Sequence, residues 1–328
     1  MARTKPQAKQ PKYEMNLMTL IAQFSNEDKC RDYLEALRWP NGVTCPRCQS
    51  QTISRIQKRP QYDCDSCRYQ FSVTSDTALH DTHLPLLKWF LAAYQMTESK
   101  KSVSALQLKR TLGVAYKTAW YLCHRIRLAM DEAKPSLLDD IVEADETLVG
   151  GEVRGMGRGY RGNKTIVVGV IERGGKVRTA IVPHADKEHL HAFIHEHVAP
   201  DADAIYTDEW PAYRGIGNGT TRHETVNHSA EEYVRGDVHT NHVENVWSLL
   251  ERSIIGAYHH ISAKHLDKYL HELEWRFNNR QNKWLFRDTL RQLLTSAHIP
   301  YDQLTAGPKA TTRTSKQTAS LSTEEPSF

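Results

Sequence analysis

The sequence has no run of about 18 apolar residues, the length a helix needs to cross a bilayer, although 39% of its 328 residues are hydrophobic. No membrane association is expected. The first residues, MARTKPQAKQPKYEM, are basic but lead into no apolar segment, so a secretory signal is not expected and the setting is cytoplasmic. The segment GRGYRGNK lacks the Gly-x-x-x-x-Gly-Lys-Ser/Thr spacing of a triphosphate-binding loop, and HEHV lacks the His-Glu-x-x-His of a zinc protease. There is no internal repeat, and the histidines at 184, 189, 191, 195 and 197 fit a solvated helix face better than a metal site.

Cysteine is scarce, at six residues, but four of the six form CPRC at 45–48 and CDSC at 64–67, with 15 residues between the two knuckles. Cys45, Cys48, Cys64 and Cys67 match a four-thiolate zinc ribbon, with strand-like QTISRI and PQYDC between the pairs. In so small a module the zinc-binding free energy is largely the folding free energy. Disulfides are the competing use, and a reducing setting disfavours them. Cys30 and Cys123 lie outside the pattern and suit core thiols. Arg47, Arg55, Lys58, Arg59 and Arg68 surround the ribbon and suit phosphate contacts, although ribbons also bind proteins.

Charge is uneven along the chain. Residues 1–134 hold 21 basic and 12 acidic side chains, a balance of +9, and the remainder carries −5 of the total of +4. A positive front suits a polyanion and an acidic rear suits divalent cations, but unevenness of this size also arises by chance. Between Leu17 and Leu37 the apolar spacing predicts two short helices, with Ser25 and Asn26 as caps between them. HLPLLKWFLAAYQM predicts another. A helix ending at Leu112, a break at Gly113 and a new helix near Tyr116 form a helix-turn-helix pattern. Lys117, Thr118, Tyr121, His124, Arg125 and Arg127 are its candidate DNA contacts, with Ala119, Trp120, Leu122, Ile126 and Met130 as packing residues. Helical hairpins of this kind also occur without DNA.

From Pro135 the character changes. LLDDIVEADETLVGG predicts a strand, GGEVRGMGRGYRGN a mobile loop, and two strands flank the hairpin signal at Arg173, Gly174 and Gly175. A helix, a short strand running into Asp208, a further strand and two long helices between Asp237 and Arg280 complete an α/β pattern of the ribonuclease-H-like mixed-sheet type. Asp145 and Asp208, 63 residues apart, fall at ends of strands that a mixed sheet can bring together, and paired carboxylates repel unless a cation lies between them. Glu244 lies 36 residues beyond Asp208. It completes either a metal site or a capping box in which Asn241 is the N-cap and Glu244 the N3 residue. The residues alone leave that choice open.

In order and spacing, CPRC, CDSC, ADETLVGG, IYTDEWPAY and HTNHVENVWSLLERSIIGAYHHISAKHLDKYLHELEWRFNNR resemble bacterial insertion-sequence transposases. These carry an N-terminal zinc ribbon and a ribonuclease-H-like catalytic core of the Asp-Asp-Glu type. The resemblance covers roughly residues 18–295. It implies a catalytic triad of Asp145, Asp208 and Glu244, with Asn241 in reserve as the third residue. The implied cofactors are two Mg2+ or Mn2+ ions beside the structural Zn2+.

The implied reaction is metal-dependent cleavage at element ends followed by strand transfer into target DNA. Its partner is double-stranded DNA, both element ends and target, bound by at least a dimer at the nucleoid. The alternatives are a catalytically inactive DNA-binding descendant and a metal-dependent nuclease of the same fold. Arg154, Arg158 and Arg161 suit the DNA backbone. Relatives often carry Lys seven residues after the catalytic glutamate, where this chain has Glu251, a departure that neighbouring Arg252 would offset. The expected units are a basic tail with short helices (1–40), the ribbon (41–75), a helix-turn-helix-like DNA-binding region (76–134), the catalytic domain (135–298) and a disordered tail (299–328).

Overall fold

The computed structural model describes residues 15–132, 135–151, 162 and 164–305. Arg154, Arg158 and Arg161, with most of the expected mobile loop, lie outside the described residues, as do residues 1–14 and 306–328.

Two helices open the fold. Asn16 caps α1 (Leu17–Gln23) by accepting from the Thr19 N–H, and Asn26 caps α2 (Glu27–Arg38) by accepting from the Lys29 N–H. The ribbon follows as three short antiparallel strands, β1 (Ile53–Arg55), β2 (Tyr62–Cys64) and β3 (Gln70–Phe71). Then come α3 (Leu86–Glu98), α4 (Ala105–Leu112) and α5 (Tyr116–Ala129). Ser104 caps α4, and Gly113 ends it at φ 61°, a left-handed conformation that costs glycine little and turns the chain into α5.

The central sheet has five strands: β4 (Ile141–Val149), β5 (Thr165–Glu172), β6 (Val177–Val182), β7 (Ala204–Thr207) and β8 (Arg222–Thr225), in the order β6-β5-β4-β7-β8. β4, β5 and β6 pair antiparallel, whereas β7 joins β4 in parallel and β8 joins β7 in parallel. Alternation along the strands sorts the side chains between two faces. Val142, Ala144, Val168 and Val170 pack under α6 (Lys187–His197), against Leu190, Phe193 and Ile194. Val167, Ile171 and Val177 pack on the other face with Val243, Val246 and Leu250 of α7 (Asn241–Ser253) and Leu270 and Leu273 of α8 (Leu266–Asn278). Each such side chain fully buried contributes about 1.5–3 kcal/mol. A mixed sheet of this order between helices is the ribonuclease-H-like arrangement.

The two long helices expected between Asp237 and Arg280 are α7 and α8, joined by a π-helical turn at Ile254–Tyr258. Their entry differs from the capping box that was one of the two readings of Asn241 and Glu244. Thr240, not Asn241, is the N-cap residue of α7, and Asn241 is its exposed first residue. Capping comes from another element: the buried carboxylate of Glu143 on β4 accepts from the N–H groups of His242 (2.7 Å) and Val243 (3.3 Å).

The end of the chain also differs from the expected units. The last long helix, α9 (Leu285–Thr295), packs through Phe286, Leu290 and Leu293 with Phe24, Phe90 and α5, so it completes the core of the N-terminal helices and not that of the sheet. Residues 301–305, placed in the disordered tail by composition, form the short helix α10 (Tyr301–Thr305), whose Leu304 is buried. No helix among the described residues is long and apolar enough to cross a membrane.

Candidate active site and zinc centre

The four ribbon cysteines place their sulfurs within 4.8 Å of one another. Cys45 and Cys67 are 3.7 Å apart and Cys48 and Cys64 3.5 Å apart. Tetrahedral zinc with bonds of about 2.3 Å calls for sulfurs separated by roughly 3.8 Å, whereas a disulfide needs about 2.05 Å. The cluster is suited to structural zinc, and all six cysteines are free thiols. Each knuckle turns alike. Gln49 and Arg68, each following the second cysteine of its pair, have φ of 61° and 58° and donate their N–H groups to the carbonyls of Cys45 and Cys64.

The acidic site starts from strand register. β4 and β7 pair Ile141 with Ala204 and Glu143 with Tyr206, an offset of 63 residues that continues to Asp145 and Asp208. Asp208 follows the last residue of β7, and Asp145 lies within β4 just past the paired stretch. The two carboxylates interact. Burial, then the charges of Glu146 and Asp208, push the Asp145 carboxyl up to about 8. Asp208 is also raised, first by burial. Trp247 of α7 donates its indole N–H to Asp145 Oδ2 at 2.9 Å, and the Trp210 N–H holds Asp208 Oδ1 at 3.0 Å. Glu146 accepts from the Tyr213 hydroxyl at 2.5 Å, and its carboxyl is raised by burial and by the charge of Asp208.

Glu244 lies on the first turn of α7, with its side chain 46% exposed. Its Oε1 accepts from the Thr240 hydroxyl at 2.9 Å and lies 3.9 Å from His228 Nε2. The charge of His228 also lowers the Asp208 carboxyl, against the larger upward push of burial. Among the described residues, two groups of three or more have all their ligand atoms within 4.8 Å, the four cysteines and Glu143 with His239 and His242. The expected close convergence of Asp145, Asp208 and Glu244 is not among them, and the Glu244 carboxylate accepts from the Thr240 hydroxyl.

Glu143, His239 and His242 offer donors that a divalent ion can use. The Glu143 carboxylate is already engaged, however, by Arg173 Nε at 2.8 Å and by the start of α7, so an ion there would compete with a guanidinium. The α6 histidines form no such group among the described residues.

The candidate DNA contacts divide by exposure. Arg47 is exposed, with its guanidinium over the Tyr69 ring (4.1 Å), and Arg59 and Arg68 are exposed on the ribbon. Lys117 is exposed beside Tyr301, and Arg252 is exposed next to Glu251. Arg125 is different. It is 5% exposed, donates to the His80 carbonyl at 2.7 Å and lies against Trp89 and Tyr121. Arg127 is buried in an ion pair with Glu272 of α8 at 2.7 Å, and His124 is fully buried. The second half of α5 is enclosed by neighbouring helices, so Arg125 and Arg127 face the interior instead of a DNA groove.

Sequence patterns did not single out Glu143, His228, Trp247 or Tyr213 for the acidic site. Three of them lay in segments with a recognisable pattern: Glu143 is in LLDDIVEADETLVGG, Tyr213 ends IYTDEWPAY, and Trp247 is in the HTNHVENVWSLL stretch.

Residues 137–278 match the ISXO2-like transposase domain family, and residues 25–70 match the transposase zinc-ribbon domain family. A Halobacterium salinarum protein described as an uncharacterized protein in transposable element ISH50 is 30% identical over 279 residues, which are 79% of this chain and 93% of the relative. An uncharacterized transposase-like protein of Haemophilus influenzae is 32% identical over 108 residues, 33% of this chain and 85% of the relative. Among solved structures, a simian T-cell lymphotropic virus intasome in complex with the PP2A regulatory subunit B56 gamma aligns at 15% identity and a TM-score of 0.28, covering 68% of this chain and 78% of that one. A score so low decides nothing about the fold. With its ribbon cysteines, its mixed sheet and a 30% identical relative matched over nearly its whole length, the chain belongs to the ISXO2-like, IS1595-type family of insertion-sequence transposases.

Proposed function

We propose that the protein cleaves DNA at the ends of its insertion sequence and transfers the freed strand into target DNA, with Asp145, Asp208 and Glu244 as the catalytic carboxylates. The observation that carries this reading is that Asp145 and Asp208 lie just past the paired stretch of β4 and β7 at the same offset, with both carboxyls raised by burial. Two buried acids held side by side cost stability, and a divalent cation removes that cost. The donor set is all oxygen, which fits Mg2+ or Mn2+. Bound there, such ions supply activation of an attacking water or hydroxyl and charge neutralisation at the leaving oxygen.

The chain's own residues prepare the site. Trp247 orients Asp145 through Oδ2, the Trp210 N–H fixes one oxygen of Asp208, and Glu209 holds the following loop by accepting from Ser229 and the His228 N–H. Glu244 lines a cavity together with Trp247, whereas Asn241 does not, which favours Glu244 as the third acid. Hydrolysis leaves a 3′ hydroxyl, which then attacks a target phosphodiester in line, and no covalent protein intermediate is needed. Joining two ends in one reaction calls for at least a dimer on DNA. The basic side chains of the ribbon and of α5's exposed start suit the DNA backbone.

A strand-transfer assay with element-end DNA and Mg2+ tests the assignment. Loss of joined product in Asp208→Ala is the expected result, and undiminished joining would refute the site. End binding without cleavage would identify an inactive descendant, and cleavage that never yields joined product a nuclease.

A further inference from the structure

A second cavity, of about 690 Å³, lies between the helix-turn-helix pair α4–α5 and the turn that joins α7 to α8. Its lining includes no acidic side chain. Lys101 and Arg110 stand exposed at its edge, and among the described residues neither forms an ion pair. Its wall is aromatic. The Trp120 ring lies 4.2 Å from His124 and 5.3 Å from His265, and His124 lies 5.6 Å from Tyr269. Tyr116, half exposed, also lines it.

The polar atoms inside are unsatisfied. His124 is 0% exposed, yet neither of its ring nitrogens has a hydrogen-bond partner, and His265 Nδ1 is likewise buried without one. A buried imidazole in this state lacks hydrogen bonds that a native interior normally provides, and a ligand is one source of them. Burial, then the charge of Arg127, holds His124 at about 2, so it is neutral and offers one donor and one acceptor. That pairing suits the edge of a nucleobase, whereas Lys101 and Arg110 suit a phosphate.

The cavity adjoins the one beside Glu244. His259 and His260 line both this cavity and the neighbouring one, of about 550 Å³, that Glu244 and Trp247 line. His259 is held at φ 59° at the end of the π-helical turn, where its N–H donates to the Ile254 carbonyl at 2.6 Å.

We propose that this cavity binds an unpaired nucleotide of DNA, its base stacked on Trp120 and hydrogen-bonded to His124 and its phosphate held by Arg110 and Lys101. The assignment rests on the transposase reading above, which supplies DNA as the ligand class. A duplex is too wide for a cavity of small-ligand size, so the occupant is a base freed from pairing. Stacking on an aromatic ring is tolerant of base identity, which makes the site a holder of strands and not a reader of sequence.

The test uses the full-length, zinc-loaded protein, with fluorescence anisotropy of fluorescein-labelled twelve-residue oligo-dT and of a blunt duplex. Trp120→Ala should weaken oligo-dT binding by about tenfold or more and leave duplex binding within about twofold, while Trp120→Phe, which keeps a ring, should restore most of the loss. Arg110→Glu, at an exposed position, should weaken oligo-dT binding and flatten its salt dependence.

Unchanged oligo-dT affinity in Trp120→Ala and Arg110→Glu overturns the proposal, as does an equal loss for duplex and oligo-dT. Failure of Trp120→Phe to recover binding assigns Trp120 to packing and also overturns it. End cleavage is measured in parallel on the parent and Asp208→Ala. Asp208-dependent cleavage with unaffected oligo-dT binding sinks the cavity alone, whereas Trp120-dependent oligo-dT binding with Asp208-independent cleavage sinks the catalytic reading alone.

Discussion

Trp247 lies over Gly169 and donates its indole N–H to Asp145, the residue that pairs with Gly169 across β4 and β5. A Cβ on Gly169 would come within 2.5 Å of the Trp247 ring, so the absence of a side chain there is what lets α7 settle close enough for the bond. Trp247→Phe keeps the ring and removes the donor. It should lower the cleavage rate about tenfold with a stability loss of about 1 kcal/mol. Gly169→Ala should displace the ring and cost more in both measures, read by single-turnover cleavage and thermal melting.

Asp145 gives the free protein a pH dependence of known sign. Its folded carboxyl sits at about 8, above its ordinary value, so the folded state binds the extra proton and stability falls as pH rises from about 4 towards 8. In buffer without added Mg2+ or Mn2+, Asp145→Asn should therefore melt higher than the parent at pH 8, by about 2 kcal/mol in stability, and close to it at pH 4. The same variant should be inactive. A parent that is no less stable at pH 8 than the variant would remove the basis of this prediction.

Glu143 ties β4 to the start of α7 and neutralises Arg173. Glu143→Ala leaves a guanidinium without its carboxylate and two helix N–H groups without an acceptor, a change of about 3–5 kcal/mol. Glu143→Gln keeps an acceptor for the helix and should lose less. Denaturant melts of the two variants measure the difference, and equal, small losses would show that the clamp is unimportant.

Removing zinc should unfold the ribbon before the rest. Cys45, Cys64, Tyr62 and Phe71 form their own small cluster, apart from the larger helical core. Cys64→Ser should release its equivalent of zinc in a chromogenic chelator assay and lose DNA binding, while retaining most of the helical circular dichroism.

Glu251 shares the cavity of Glu244 and is exposed. Glu251→Lys replaces a repulsive charge with an attractive one at a position facing the proposed DNA path. It should tighten end binding and steepen the dependence of affinity on salt by about one phosphate contact. An unchanged salt slope would place Glu251 away from the DNA.

Much of this was legible in residue spacing, and the rest was hidden for physical reasons. Two Cys-x-x-Cys pairs are a local pattern whose geometry is nearly dictated by tetrahedral coordination, so the cluster at 45–67 could be read directly. The offset between Asp145 and Asp208 is a number in the sequence, but only the parallel pairing of β4 with β7 gives it meaning. The cap of α7 stayed open at the sequence level because local chemistry at Asn241 and Glu244 allows a capping box, while the acceptor that serves the helix start comes from Glu143, about a hundred residues earlier. Arg125 and Arg127 looked like surface contacts because charge usually marks the surface. Nothing nearby announces that Glu272 or the His80 carbonyl will meet them.

The docking of α9 into the first helical core has a consequence for how the protein is made. Phe24 and Phe90 wait for Phe286 to close their cluster, so the N-terminal helices emerge from the ribosome without their last wall. At about 5–20 residues per second, the interval between α5 and α9 amounts to roughly 8–30 seconds of synthesis. A chain truncated before α9 would carry the ribbon and the helix-turn-helix pair on an open apolar surface. The first helical core is thus complete only when translation has reached α9, near the end of the described residues.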